Sequence, residues 1–565
     1  MKKSYLLTIS IGPVQDFISA SKTSNDLWSS SFLLSYLMGY IIKNVKENNC
    51  KIIFPATSAD SEHNIAESGV HNILELFNDA LDLPDEQCFV PSLPNKILIR
   101  AEDVDIRNFA NGISDKLRVL VREIGDSVVK EFPDAINNKL FFQQLETFPE
   151  IYWCAVDYPC DDNISTAYAL LNKKMAAVKN LRLFNGKSFN SADSISKFNE
   201  KDVLTGKEEN VIKDAGKFHG DVSISNEAMG AISLLKRVWH NTYLIPKYAR
   251  DEESKRKMKE YFKIKDVQEI AKSKWNKEYG SGYYAIIAFD GDKIGKWVSG
   301  ENVKESNPGF KVTEQYLNKL SEKLGEFAGE VPPIIKRHNG GLVYAGGDDV
   351  LALLPVSEAV ECAVELHNKF AEKNMEGKSF EASCGIAFGH TKTSMSDIIK
   401  EAQFAEKTAK LKYERNSMAI VVLKRSGEIL NFGMKFGDSA KNIFEFFNDM
   451  KGKGVSHKFL YDFIKVLELY LDNYSDKIDD IVEIINAEFK YCIKSREIKK
   501  QEIKIIIKSF ESMSQKIYDL ILKDDPKKDL SKLKSHANGT SKKDPYIEYL
   551  IGLFQVAAWL KAPNE

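Results

Sequence analysis

Two spacings of hydrophobic residues alternate along this chain. Residues 5–11 form a short β-rich apolar run, Gly12-Pro13 breaks it, and residues 14–40 carry apolar positions at helical spacing. Lys51-Ile52-Ile53-Phe54-Pro55, residues 93–99 and residues 151–156 read as further strands, and the stretch 105–132 reads as a helix. Together they predict one α+β unit of about 150 to 200 residues, a usual domain size.

Residues 185–225, rich in Asn, Ser, Lys, Asp and Gly, are expected to be a loop-rich connection, and helical spacing returns at 231–239 and 251–277. After Tyr279-Gly280-Ser281-Gly282 the short runs resume. Residues 283–289 predict a buried strand ended by Asp290-Gly291-Asp292-Lys293-Ile294-Gly295, and residues 312–327 a helix. Residues 341–345 and 350–354 predict two strands around Gly346-Gly347-Asp348-Asp349. A helix (358–373), a strand (380–388), a helix (395–412) and a strand (418–424) complete the β-α-α-β-β-α-β-α-β plan of a ferredoxin-like palm. From residue 438 onward, apolar positions recur at helical spacing between lysine-rich faces.

A short echo links the two halves of the chain. Thr8-Ile9-Ser10-Ile11-Gly12-Pro13-Val14-Gln15-Asp16 resembles Ile287-Ala288-Phe289-Asp290-Gly291-Asp292-Lys293, without an acid at the place of Asp290. The expected fold is therefore α+β and multidomain. It comprises a degenerate first palm (1–200), a connecting, mostly helical domain (201–280), a second palm (281–430) and an all-helical C-terminal domain (431–565).

Charge and composition narrow the function classes. Lys+Arg 79 against Asp+Glu 81 leaves a net charge of −2 over 565 residues, which excludes a globally basic nucleic-acid coat but permits a local basic groove. No run approaches the roughly 18 apolar residues of a membrane span. The apolar start breaks at Gly12-Pro13 with Asp16 close behind, so a signal peptide is not expected and a cytoplasmic location is. The seven cysteines form no Cys-x-x-Cys pair, and the nine histidines have no metal-ligand spacing, so free thiols are expected. The lysine-rich runs 490–508 and 523–534 read as solvated faces, and Trp28 and Trp153 as core or interface anchors.

The candidate chemistry lies in three carboxylates. Asp290 ends a central strand, while Asp348 and Asp349 sit on a hairpin that the palm plan places beside it. Clustered carboxylates repel one another unless a cation lies between them. Magnesium (or manganese) suits them, because hard cations take oxygen ligands and keep positions open for phosphates. Gly346 and Gly347 admit a nucleotide close to the backbone, and Gly291 and Gly295 flank a helix start whose N–H groups suit a triphosphate. Asp292 and Lys293 share that turn and are expected nucleotide contacts, as are Lys410 and Arg415, a point charge and a fork. Each motif alone is an ordinary turn; their order and separation favour the functional reading.

With these residues in view, the sequence resembles the large palm-containing subunit of type III CRISPR effector complexes, in the type III-B (Cmr) branch. The resemblance rests on Ile9-Ser10-Ile11-Gly12-Pro13-Val14-Gln15-Asp16-Phe17-Ile18, Asp26-Leu27-Trp28 with Ser31, Pro94-Asn95-Lys96 and Leu235-Lys236-Arg237. It continues through Asp290-Gly291-Asp292, Gly346-Gly347-Asp348-Asp349, Ser383-Cys384-Gly385-Ile386-Ala387 and Arg415-Asn416.

The resemblance implies assembly with a CRISPR RNA and other Cmr-type subunits. It also implies that target RNA switches on the conversion of ATP into cyclic oligoadenylates. Some relatives instead join ATP to S-adenosylmethionine; Asp60, Glu62, Glu146 and Glu150 are candidate acids for its ammonium group. Many relatives begin with a histidine-aspartate nuclease domain, but this sequence has no His-Asp dipeptide and its first strand follows Met1 almost directly, so DNA cleavage is not expected. Nor is zinc, because Asp202-Val203-Leu204-Thr205-Gly206-Lys207 stands without cysteine where relatives carry a zinc ribbon. A non-catalytic scaffold of an RNA-binding complex is the reading from another class, and a stand-alone diguanylate cyclase leaves the first 200 residues and the helical tail unexplained.

Overall fold

The computed structural model describes residues 3–48, 50–57, 72–78, 84–158, 164–181, 200–220, 224, 227–272, 282–471, 478–496, 498–522 and 544–561. Asp60, Glu62, Tyr279-Gly280-Ser281, residues 185–199 and the lysine run 523–534 lie outside them. The strands are β1 (Ser4–Gly12), β2 (Lys51–Phe54), β3 (Lys96–Glu102), β4 (Glu150–Asp157), β5 (Tyr283–Gly291), β6 (Gly341–Gly346), β7 (Asp349–Leu354), β8 (Asn374–Met375), β9 (Lys378–Ser379), β10 (Ala382–His390), β11 (Ser417–Leu423) and β12 (Ile429–Lys435). The chain divides into two compact units.

One unit comprises Met1–Val267, Lys293–Ala352 and Glu372–Phe380. Its four-stranded sheet has the order β2-β3-β1-β4, with β1 antiparallel to both neighbours and Ser10 opposite Lys96 and Tyr152. The stretch expected to be one helix over 14–40 is instead two, Gln15–Ser19 and Ser24–Glu47. The reason is local: Thr23 and Asp26 form a reciprocal capping box, which starts a fresh helix.

In that unit, the half-buried Arg237 grips both oxygens of the buried Asp26 at 3.0 and 2.6 Å. Lys236 donates from Nζ to the carbonyls of Phe17 (3.1 Å) and Ala20. Trp28 stacks on Phe32, and Phe32 on Trp239. The Asp-Leu-Trp and Leu-Lys-Arg motifs therefore pin the helix Ala231–Trp239 against the helix Ser24–Glu47. Burial pushes the Asp26 carboxyl up, but hydrogen bonds and charge from Arg237 outweigh it and hold the group below its usual value.

The helix Glu314–Arg337 also belongs to this unit and runs beyond the expected end at 327, straight through Pro332-Pro333. Arg100 of β3 holds both carboxylate oxygens of Glu314 at 3.1 and 3.0 Å, and the Ala56 N–H donates to Ser321 Oγ at 2.7 Å. The Ala345 N–H in β6 donates to the Pro91 carbonyl at 3.0 Å. The hairpin β6–β7 thus rests on the first domain.

The other unit comprises Gln268–Asp292, Leu353–Ala371 and Glu381–Glu565. Within it, strands pair in the order β12-β11-β10-β5. β10 pairs antiparallel with β5 and parallel with β11, placing Ser383 opposite Asp290. β12 is a strand that periodicity did not anticipate; it pairs antiparallel with β11. Gly385 lets the helix Met395–Leu411 lie directly on β10, since a Cβ there would strike Ala402 O and Glu406 N.

Helices Asp438–Gly452, His457–Tyr470, Ile478–Lys494, Lys500–Leu522 and Pro545–Lys561 follow. Phe446, Phe463, Phe489, Phe510 and Phe554 interlock at their centre, with Phe489 stacked on Phe510 at 3.8 Å. Trp559 of the last helix meets Tyr283 and Phe388 on the sheet. Among the described residues no helix is long and apolar enough to cross a membrane.

Candidate active site

The Gly346–Asp349 turn joins β6 to β7. Gly347 takes φ +82°, a left-handed backbone that glycine adopts without strain, and a Cβ on Gly346 would run into the Tyr344 hydroxyl. The glycines therefore let the turn close over Tyr344. Asp348 is half-buried and Asp349 keeps open surface at the turn. The protein mass around them raises both carboxyls above the usual range, and the charge of Asp349 raises Asp348 further. Burial, then Asp349 and Asp348, also drives the Tyr344 phenol up. Neither aspartate has an ion-pair partner among the described residues. Such a pair has an electrostatic demand for a cation, and its oxygen donors match a hard divalent ion. On this ground Asp348 and Asp349 fit magnesium. Among the described residues no group of three or more His, Cys, Asp and Glu is gathered that could hold a metal.

In the other unit, Asp290 stands half-buried near the end of β5 and pairs with Lys410 near the end of the helix Met395–Leu411. Lys410 also pairs with Glu406, one turn earlier, at 2.6 Å. Burial, and then the charge of Arg415, pushes the Lys410 ammonium down to about 8. Arg415 is half-buried and follows that helix in the loop to β11. The sequence expected Lys410 and Arg415 as triphosphate contacts, a point charge and a fork. Glu406 was not anticipated, although its i,i+4 spacing to Lys410 was readable.

The remaining expected nucleotide contacts have different surroundings. Gly291 is the last residue of β5, and Lys293 is exposed with φ +56° before the short helix Ile294–Val298. Asp292 is 2% exposed. Ser383 Oγ lies 2.9 Å from both its carboxylate oxygens, and the Asn416 N–H donates to Oδ2 at 2.7 Å. Burial raises this carboxyl, against the lowering effect of those two donors. In the first domain, Glu150 accepts from the Tyr152 hydroxyl at 2.8 Å.

Comparisons with known proteins agree with this architecture. Residues 6–126 match the family model for the N-terminal domain of the CRISPR-associated protein Cmr2, and residues 283–419 match the second palm domain of Cas10/Cmr2. The CRISPR system Cmr subunit Cmr2 of Pyrococcus furiosus is 33% identical over 187 residues; the match covers 29% of this chain and 21% of that protein. A solved chain of the type III-B Cmr-beta complex in its apo state aligns at a TM-score of 0.60 and 14% identity, covering 88% of this chain and 78% of its own. A chain of Cmr-beta bound to cognate target RNA aligns at 0.60 and 14%, covering 99% of this chain and 83% of its own. At that identity the two structures speak for the fold.

Proposed function

Because the chain carries a Cmr2 N-terminal domain and the second palm domain of the Cas10/Cmr2 family, we propose that it is the nucleotide-synthesising subunit of an RNA-guided antiviral complex. It works in the cytoplasm with a CRISPR RNA and other Cmr-type subunits. Bound target RNA turns on transfer between ATP molecules, giving a cyclic oligoadenylate. The observation that carries this reading is the adjacent pair Asp348 and Asp349 on a glycine turn of the palm, without an ion-pair partner among the described residues.

A 3′-hydroxyl attacks the α-phosphate of ATP; the new P–O bond forms as the bond to pyrophosphate breaks. Asp348 and Asp349 are the carboxylates that would hold magnesium; Asp290, expected from sequence to join them, is instead paired with Lys410. When bound, magnesium supplies charge neutralisation for the leaving pyrophosphate and makes the hydroxyl a better nucleophile. Gly346 and Gly347, expected from sequence to leave room for the nucleotide, instead let the turn close over Tyr344 and so place Asp348 and Asp349. Lys410 and Arg415 hold the triphosphate, with Lys410 exchanging its carboxylate partner for phosphate oxygens. The Cmr-beta chain solved with cognate target RNA supports the choice of RNA as trigger.

The test is the mass of the product made by the assembled complex from ATP with matching RNA, with and without S-adenosylmethionine. The double variant Asp348→Ala, Asp349→Ala is expected to assemble and bind RNA normally while product falls by at least about a hundredfold, the scale of losing electrostatic transition-state stabilisation. A mass equal to adenylate joined to S-adenosylmethionine would replace the cyclic product. No product at all from the wild type would leave the scaffold reading.

A further inference from the structure

The loop between the helix Met395–Leu411 and β11 has an unusual backbone. Glu414, Arg415 and Asn416 take φ of +56°, +63° and +45° in succession, and none is glycine. L-residues enter the left-handed region singly, because the Cβ crowds the carbonyl oxygen, so three in a row persist only where surrounding bonds over-determine them. Here they do. The Asn416 N–H donates to Asp292 Oδ2 at 2.7 Å, and the Arg415 N–H to Ala409 O at 3.2 Å. Lys435 Nζ donates to the carbonyls of Glu414 and Arg415, each at 2.9 Å, and the Phe436 N–H to that of Asn416 at 3.0 Å. His367 Nε2 lies 2.6 Å from Asn416 Oδ1, with its ring stacked on Phe436 at 4.0 Å.

Within this cage Asp292 supplies the bond at the third left-handed residue, and its carboxylate is occupied inward by Ser383 and Asn416. We infer that Asp292 is a positioning residue: it locks the 414–416 loop in its left-handed run and thereby aims the Arg415 guanidinium at the triphosphate. This rests on the nucleotidyl-transfer reading above. It assigns Asp292 a geometric task in place of the direct nucleotide contact expected from sequence. The Asp-Gly-Asp motif then divides its labour, the first acid facing Lys410 and the second facing the loop.

The assembled complex with target RNA tests this. Asp292→Ala is expected to raise KM for ATP about tenfold with a smaller fall in kcat, the mark of lost ground-state binding through a charge-assisted contact. In an Arg415→Ala background the same change should add nothing. Asp292→Asn, which keeps an acceptor for the Asn416 N–H, should recover most of the loss. So should Glu414→Gly with Asn416→Gly in the Ala variant, because glycine adopts positive φ without strain. Hydrogen exchange over 412–418 should quicken in the Ala variant and not in the Asn variant.

Additive effects of Asp292→Ala and Arg415→Ala would overturn the inference. So would an Asp292→Asn variant as inactive as Asp348→Ala, or unchanged exchange in the loop. If the wild-type complex makes no nucleotide, the activity reading fails, while the exchange measurement still decides whether Asp292 holds the loop.

Discussion

His240 shows how strongly a single buried side chain bears on this protein. It is 4% exposed, between Asn25 Nδ2 and Ser29 Oγ, both at 3.4 Å. Burial pushes its imidazole down to about 4, although the Asp26 carboxylate opposes that shift. In the unfolded chain the ring protonates near pH 6.5, so between pH 6.5 and 4 the unfolded state binds the additional proton. Stability from this group is full above pH 6.5 and is lost as pH falls toward 4, a loss of about 3 kcal/mol. The wild-type melting temperature should fall over that window, and His240→Gln should flatten the fall. An identical pH profile in the variant would show that other groups carry the acid sensitivity. None of this was visible in the sequence, where His240 is one of nine histidines without a spacing pattern.

Elements meet at positions where a missing side chain matters as much as a present one. Gly385 sits where the backbone of the helix Met395–Leu411 crosses β10, and a methyl group would collide with Ala402 O and Glu406 N. Gly385→Ala must push that helix off the sheet, at a cost of about 1–3 kcal/mol, as for overpacked cores generally. The same displacement moves Lys410, so nucleotide synthesis should drop along with the melting temperature. A variant with wild-type stability and activity would refute the close packing. Strands and turns carried by local pattern were legible in advance: β1 with its Gly-Pro break, the Gly-Gly-Asp-Asp hairpin, and β10. β12 was not, because Ile429-Leu430-Asn431-Phe432-Gly433-Met434-Lys435 is set by its partner β11 more than by its own composition. The loop at 414–416 was equally hidden. Arg415-Asn416 drew notice as a motif, but Asp292 and Lys435, which hold it, are distant in sequence.

At the scale of the whole molecule, the chain passes between its two units repeatedly and does not finish one before starting the other. The helix Glu314–Arg337, with Leu317, Leu320, Leu324, Phe327 and Val331 buried, belongs with the first domain. A cut after residue 280, where composition suggests a boundary, separates that helix from Arg100 and Ala56. Residues 281–565 expressed alone should therefore aggregate or melt well below the intact chain, and co-expression with 1–280 should restore solubility. Independent, full stability of the C-terminal piece would count against this division. The sequence supplied the palms and their order through resemblance and periodicity. It did not supply the interleaving, which depends on contacts between residues more than 200 positions apart, such as Arg100 with Glu314.

The Ala345 bond to Pro91 and the grip of Arg100 on Glu314 also bear on how such a chain ages. The first domain is the foundation under the hairpin that carries Asp348 and Asp349. A lineage that relieved this domain of every chemical duty would still be obliged to inherit its bulk. Decay there should erase reactive side chains one by one and leave the masonry standing.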